Sequence, residues 1–241
     1  MSVTSRYKRA WESFWSEAPD GPGAVFWDAE PALTSGLHLA LFEPHLMATD
    51  LPLVDLGCGN GTQTFFLAER LPGVTGVDLS AAALAHARRR DPLGAVPFRE
   101  LDAADPEAVR RLHGELGDTH VYMRSVLHQC DPADRQPLID SIATLVGERG
   151  RAFVIELAEA AGAELSVLAQ APAGPPPKLR PVLTHGIAAG RVRDAAVPQY
   201  FREAGLSVLA EGELPLLTTE YVADGTRIEL PCNWLVVGRK A

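Results

Sequence analysis

The stretch DLGCGNGT, residues 55–62, constrains the fold of this chain more than any other feature. It joins a short apolar run, LPLVDLG (51–57), to a segment of helical composition (62–71) that Pro72 and Gly73 stop. Gly57, Gly59 and Gly61 permit left-handed backbone and the close approach of another group. A helix that starts directly after such a turn offers unpaired N–H groups and the positive end of its dipole. In open α/β sheets, this place beyond the carboxyl end of a strand is the ligand crevice.

The same strand-to-helix rhythm continues along the chain. VTGVDL (74–79) reads as a second strand, and Ser80 as the N-cap of an Ala-rich helix, 81–90. VPFREL (96–101) is a third strand. Asp105 and Pro106 then open a helix in which Val109, Leu112 and Leu116 recur at helical spacing. THVYMRSV (119–126) is a fourth strand. An N-cap at Asp134 would place Pro137 third in the next helix, where its missing N–H is not needed. Leu138, Ile139, Ile142, Leu145 and Val146 form that helix's apolar stripe. Gly147 and Gly150 close it before a fifth strand, RAFVIEL (151–157).

Short connections between alternating strands and helices mean parallel strands with right-handed crossovers, hence an α/β doubly wound, Rossmann-like sheet. Residues 158–196 break the rhythm. Their PAGPPPKLRP run excludes a regular helix or a central strand and predicts a flexible cap or lid. PQYFREAGL (198–206) returns to helix, starting at Pro198 and ending at Gly205. LSVLAEGELPLL and IELPCNWLVVGR predict two closing strands. The expected organisation is an N-terminal helical cap, 1–50, and one domain, 51–241, with 158–196 as a lid insertion.

Composition narrows the partners. The chain has 241 residues, 46% hydrophobic and 22% charged, and a formal net charge of -9, which argues against nucleic acid. Its tight basic run, Arg88 to Arg90, ends a predicted helix, where positive charge suits the dipole. Cys58, Cys130 and Cys232 are scattered, with neither disulfide nor metal spacing, so no metal is expected and a reducing cytoplasm fits. MSVTSRYKRAWESFW lacks the apolar core of a leader, and no apolar stretch is long enough to span a membrane. A small molecule is the expected partner. A homodimer or a partner protein stays open.

Acids sharpen the glycine turn. Asp55 gives D-x-G-x-G-x-G, where a dinucleotide site has G-x-G-x-x-G. Asp78 ends the second strand, where it can accept from both hydroxyls of a ribose. Asp102, after the third, can take an adenine amino group. Taken singly, each has an ordinary alternative: a turn glycine, an acid preceding the Ser80 cap, a surface acid. Their joint placement at the ends of three consecutive strands favours a nucleoside site.

On these residues the chain resembles the class I S-adenosylmethionine-dependent methyltransferases. VDLGCGNGT looks like their first motif, GVDLS the second, LDAAD the third, VYMRSVLHQ the fourth, and GERGRAFVIE the turn into the fifth strand. The resemblance spans roughly residues 50–157 and, more loosely, the last 40. It implies a seven-stranded sheet of order 3-2-1-4-5-7-6 with strand 7 antiparallel, and S-adenosylmethionine as cofactor. Residue by residue, it implies that Gly57, Gly59 and Gly61 contact the methionine part, and that Asp55 organises its amino end. Thr62 and Gln63 would touch its carboxylate. Asp78, with Leu79 beside it, would bind the ribose, and Asp102 with Ala103 the adenine.

The acceptor side is less defined. Tyr7, Trp11, Phe14 and Trp15 fall on one helical face, with Arg6, Lys8, Arg9 and Glu12 off it; the face docks on the core, touches a ligand, or does both. Trp27 and Asp28 line an acceptor pocket, unless Asp28 caps the helix starting near Glu30 and Pro31. His128 is a general base or a packed structural histidine. Arg124 grips a substrate carboxylate or pairs with a neighbouring acid. Asn233 and Trp234 border the pocket; His185, Arg191 and Arg193 are weaker candidates. The expected activity is in-line methyl transfer to a small molecule in specialised metabolism. The alternative is a related enzyme that performs another displacement, such as ring closure on a natural-product intermediate.

Overall fold

The computed structural model describes residues 4–240; Met1–Val3, where the stretch read for a leader begins, Ala241 and the side chains of Thr4, Ser5 and Arg6 lie outside the described residues. The strands are β1 (Leu53–Leu56), β2 (Thr75–Asp78), β3 (Phe98–Glu100), β4 (His120–Arg124), β5 (Ala152–Leu157), β6 (Ser207–Glu213), β7 (Leu216–Tyr221), β8 (Arg227–Leu230) and β9 (Cys232–Gly238). The helices are α1 (Thr4–Glu17), α2 (Ser35–Phe42), α3 (Thr62–Ala68), α4 (Ala81–Arg90), α5 (Pro106–Leu116), α6 (Pro132–Val146), α7 (Ala161–Ala169), α8 (Leu179–Thr184) and α9 (Ala196–Glu203).

Seven strands form one sheet in the order β3-β2-β1-β4-β5-β9-β6, with β9 antiparallel to both neighbours. This is the 3-2-1-4-5-7-6 arrangement that the resemblance implies, with β9 as its seventh strand. The two expected closing strands are instead four. Pro215 and Pro231 lie at the breaks, where a residue without an N–H cannot continue a ladder. The chain therefore leaves the sheet between them as an antiparallel β7–β8 ribbon.

Alternation along the strands sorts side chains into two core layers. Val54, Leu56, Val121, Met123 and Val154 pack with α5, α6 and α9. Leu53, Tyr122, Phe153 and Ile155 face the other way and pack with Phe14 and Trp15 of α1 and Phe42 of α2. Asp55 lies opposite Tyr122 in the β1–β4 register, so it shares that second face.

Three local expectations are corrected. Helix α6 starts at Pro132 with Asp131 before it, so Pro137 lies inside the helix. Pro132 suits the first position, and Pro137 forfeits one bond to the carbonyl four residues back. Pro198 is third in α9, which starts at Ala196. The 158–196 segment holds two helices; α8 begins within the proline-rich run and takes Pro181 in its first turn, where a missing donor is harmless. That segment is also tied down. Gly190 N–H donates to His128 O at 2.7 Å, Glu159 N–H to Asp194 at 2.8 Å, and Lys178 N–H to Glu220 at 2.9 Å.

Candidate functional site

The first turn after β1 is built for close approach. Gly57, Gly59 and Gly61 have φ of 78°, 55° and 75°, the left-handed region that favours glycine. The N–H groups of Gly57 and Cys58 donate to Val77 O at 2.8 and 3.0 Å, which ties the turn to β2. A side chain at Gly57 would collide with Val126, and one at Gly59 would meet the Trp15 ring at 3.0 Å. Gly61 does something else. Its Cβ would strike Phe98 and Ala87, at 2.9 and 3.0 Å, and the residue lines neither cavity. It is a packing glycine that lets α3 approach β3 and α4, a correction to its expected ligand contact.

A cavity of about 360 Å³ opens above the carboxyl ends of β1, β2, β4 and β5. Gly57, Gly59, Asp78, Leu79, Asp102 and Ala103 lie on its wall, as do Tyr7, Trp11, Trp27, Arg124 and His128. Asp78 Oδ2 accepts from Gly59 N–H and Oδ1 from Ser80 N–H, both at 2.9 Å. Burial pushes its carboxyl above the usual range, against those two bonds. Asp102 Oδ1 accepts from Ala104 N–H at 2.9 Å.

Beside it lies a smaller, polar recess of about 40 Å³ behind the turn, lined by Asp28, Asp55, Asn60, Gln63, Tyr122 and Arg124 with Gly57 and Gly59. Burial raises Asp55 to about 6; the Thr64 hydroxyl, donating at 2.6 Å, and Arg124 oppose the rise. Arg124 Nη1 donates to Trp27 O at 3.0 Å. Asp28 caps no helix; its Oδ2 accepts from Gly23 N–H, Asn60 Nδ2 and Thr62 Oγ1. Thr62 lies off both cavities, bonded to Asp28 and to Arg90 Nη1 at 2.6 Å, which corrects its expected ligand contact. Gln63 borders the recess while its amide bonds Thr34, Ser35 and Ala29 O.

These residues fit a sulfonium nucleoside. The glycine cradle admits no side chain, Asp78 and Asp102 face the larger cavity among Leu79, Leu101 and Ala103, and the recess combines acids with a guanidinium, as an α-amino acid requires.

Helix α1 docks on the core and also walls the cavity. Phe14 and Trp15 are 3% exposed, while Tyr7, Trp11 and Trp15 line the cavity. Glu12 latches the helix by accepting from Ser80 Oγ at 2.8 Å and from Ala82 N–H at the start of α4. His86 contacts Trp15 O at 2.7 Å and Asp20 at 2.7 Å.

After β4, Ser125 adopts φ 59°, strained for a side-chain-bearing residue, and its buried Oγ has no partner among the described residues. His128 follows, 4% exposed. Its Nδ1 lies 2.9 Å from Glu156 Oε2. A carboxylate only accepts, so Nδ1 carries the hydrogen, which in the neutral imidazole leaves the lone pair on Nε2. Glu156 Oε1 also accepts from Val126 and Leu127 N–H, each at 2.7 Å. The Gln129 amide sits on His128 Nε2. Sequence reasoning missed Glu156 and Gln129. The available signal was a lone acid near the end of an otherwise apolar strand, AFVIEL.

Asn233 shares a sheet face with Glu156 but does not reach either cavity. It pairs with Glu156 and Glu213 along β9 and is absent from both cavity walls, a correction to its expected role. Trp234 stacks on Phe153 instead. His185 lies against Ser13 and Glu17, and Arg191 against Glu159; neither reaches the cavity. Among the described residues, no helix is long and apolar enough to cross a membrane.

Comparison with known proteins agrees with this geometry. A profile described as a methyltransferase domain matches residues 53–150. A trans-aconitate 2-methyltransferase of Acidovorax sp. (strain JS42) is 53% identical over 55 residues, which is 22% of this chain and 20% of that protein. The match thus spans about a fifth of the curated relative's length. The crystal structure of an S-adenosylmethionine-dependent methyltransferase from Anabaena variabilis superposes with a TM-score of 0.88 at 30% identity, covering 100% of this chain and 96% of that one. Magnesium protoporphyrin IX methyltransferase from Synechocystis, solved with bound S-adenosylhomocysteine, shares the fold at 18% identity and a TM-score of 0.58, covering 98% and 94%.

Proposed function

The chain belongs to the S-adenosylmethionine-dependent methyltransferases, and we propose that it methylates a hydroxyl of a small molecule, with His128 taking the proton. The observation that carries this reading is the 2.9 Å contact between His128 Nδ1 and Glu156 Oε2, with the imidazole on the cavity wall. When bound, the cofactor supplies an electrophilic methyl group on sulfur. The chain's own residues then bind, orient and deprotonate.

Asp78 accepts from the ribose hydroxyls and Asp102, with Ala103, reads the adenine edge. The recess behind Gly57 and Gly59 holds the amino-acid end: Asp55 and Asp28 face its ammonium, and Arg124 its carboxylate. That reassigns Arg124 from the acceptor to the cofactor, because it borders the recess. The 158–196 segment is the lid, excluding water while Tyr7, Trp11 and Trp27 keep the reactants aligned. The acceptor hydroxyl would take the place of Gln129 at His128 Nε2 and give its proton there; the bound cofactor would supply the methyl group, its sulfur–methyl bond breaking as the oxygen–methyl bond forms, to leave a methyl ether and S-adenosylhomocysteine.

A carboxylate acceptor, such as the trans-aconitate in the relatives' name, is already ionised at neutral pH and would leave the His128–Glu156 pair idle. A hydroxyl gives the pair a task. An uncharged natural-product alcohol in specialised metabolism fits this site.

The test is a methyl-labelled cofactor assay across a metabolite panel, run beside His128→Ala. The reading expects labelled ether and a variant with intact S-adenosylhomocysteine affinity but lowered turnover. Tight cofactor binding with no labelled product in any mixture would point to another displacement, such as ring closure.

A further inference from the structure

The cavity wall sorts by element. The cofactor-side positions come from the ends of β1, β2 and β3. Beyond the polar Gln129, Asp131 and Asp134, the other half of the sheet and what covers it contribute one apolar patch: Leu157 at the end of β5, Leu165 of α7, Leu179 and Val182 of α8, Ile187 after it, and Leu230 of β8. All six side chains are hydrocarbon.

Positive charge is scarce there. Among the described residues on the wall, the cationic or protonatable nitrogen side chains are Arg124 and His128. Arg124 already donates to Trp27 O and lies close enough to the buried Asp55 to lower its pKa. The lid's own cations turn elsewhere. Lys178 Nζ donates to Gly23 O at 2.8 Å, Arg180 Nη2 to Pro175 O at 3.5 Å, and Arg191 Nε lies 3.9 Å from Glu159. A carboxylate moved into such a wall loses its hydration and gains no free cation among the described residues in return.

We infer that the acceptor is an uncharged alcohol or phenol with a mainly hydrocarbon body, held against these six apolar side chains, and not a polycarboxylate. The inference rests on the methyl-transfer reading above for the location of the cofactor. It assigns acceptor selection to α7, α8 and the β7–β8 ribbon, and separates it from the cofactor half of the cavity.

The experiment is titration calorimetry of the full chain saturated with S-adenosylhomocysteine, using 2-naphthol, 4-butylphenol, 1-octanol and citrate as probes. At least one of the three alcohols binds saturably and about ten-fold or more tighter than citrate. Leu165→Asp weakens that probe by about ten-fold or more, while S-adenosylhomocysteine affinity stays within about two-fold. The second titration shows that the variant is folded; Leu183→Asp, at a more exposed position on the same wall, repeats the test if it is not. Citrate binding tighter than every alcohol, no saturable binding of any alcohol, or undiminished binding in the folded variant overturns the inference. Failure of S-adenosylhomocysteine to bind the unmodified chain instead overturns the cofactor reading, and the inference with it.

Discussion

His128 and Glu156, 28 residues apart in the chain, meet through Nδ1 and Oε2 at 2.9 Å in a site where both side chains are buried. The same carboxylate holds the backbone N–H groups of Val126 and Leu127, so it orients the ring and the loop that carries it. Glu156 is a positioning residue, and Glu156→Gln keeps the shape while removing the charge. The expected result is a fall in kcat of about 10- to 100-fold, within the range of general-base catalysis. S-adenosylhomocysteine affinity stays unchanged by calorimetry. A loss of affinity matching the loss of kcat would assign Glu156 a structural role only.

Asp78→Ala removes the acceptor assigned to the ribose and also frees the N–H of Gly59. Hydrogen bonds to a charged group contribute about 1.5–3 kcal/mol each, so S-adenosylhomocysteine should bind at least about ten-fold more weakly. Unaltered affinity in a folded variant, judged by circular dichroism, contradicts the assignment.

Gly59→Ala places a methyl group against Trp15 in a left-handed conformation, φ 55°. The backbone alone costs about 1–2 kcal/mol, and for a chain of this size each kcal/mol lowers Tm by about 2–4 °C. Because the methyl group pushes on Trp15, α1 loosens as well, and tryptophan fluorescence changes before the main transition. A Tm equal to that of the unmodified chain would show that the turn tolerates other backbone.

Burial raises Asp55 from 3.8 to about 6, so between those pH values the folded chain binds more protons than the unfolded one. Stability from this group therefore falls as pH rises through the window, and the loss is complete above pH 6. The size is on the order of 3 kcal/mol. Asp55→Asn removes the titration. Urea unfolding from pH 4 to 7 should show the stability of the unmodified chain declining relative to the variant. Parallel curves would place the proton elsewhere.

Much of the architecture was legible because it depends on residues close together in the chain. Asp55 to Gly61 encode their own turn, and Ser80 and Asp105 cap the helices that follow them. Asp78 ends β2 and Asp102 follows β3, so a known strand order carries them to one crevice. Proline effects were legible only in part. Pro215 and Pro231 diverted strands that hydrophobicity alone ran together, and Pro137 was tolerated where a local rule excluded it.

By itself, the sequence determined the alternation, the glycine turn and the acids at the strand ends, since hydrophobic period, capping and positive φ act over a few residues. Only the tertiary structure decided which polar groups meet across long separations: Glu156 with His128, Arg124 with the recess, Trp15 with Gly59. It also separated Gly61, which packs, from Gly57 and Gly59, which border the cavity, and it left Asn233 beside Glu156 but off the cavity wall. Such pairings depend on which face a side chain takes and what is packed against it, and no local pattern encodes that.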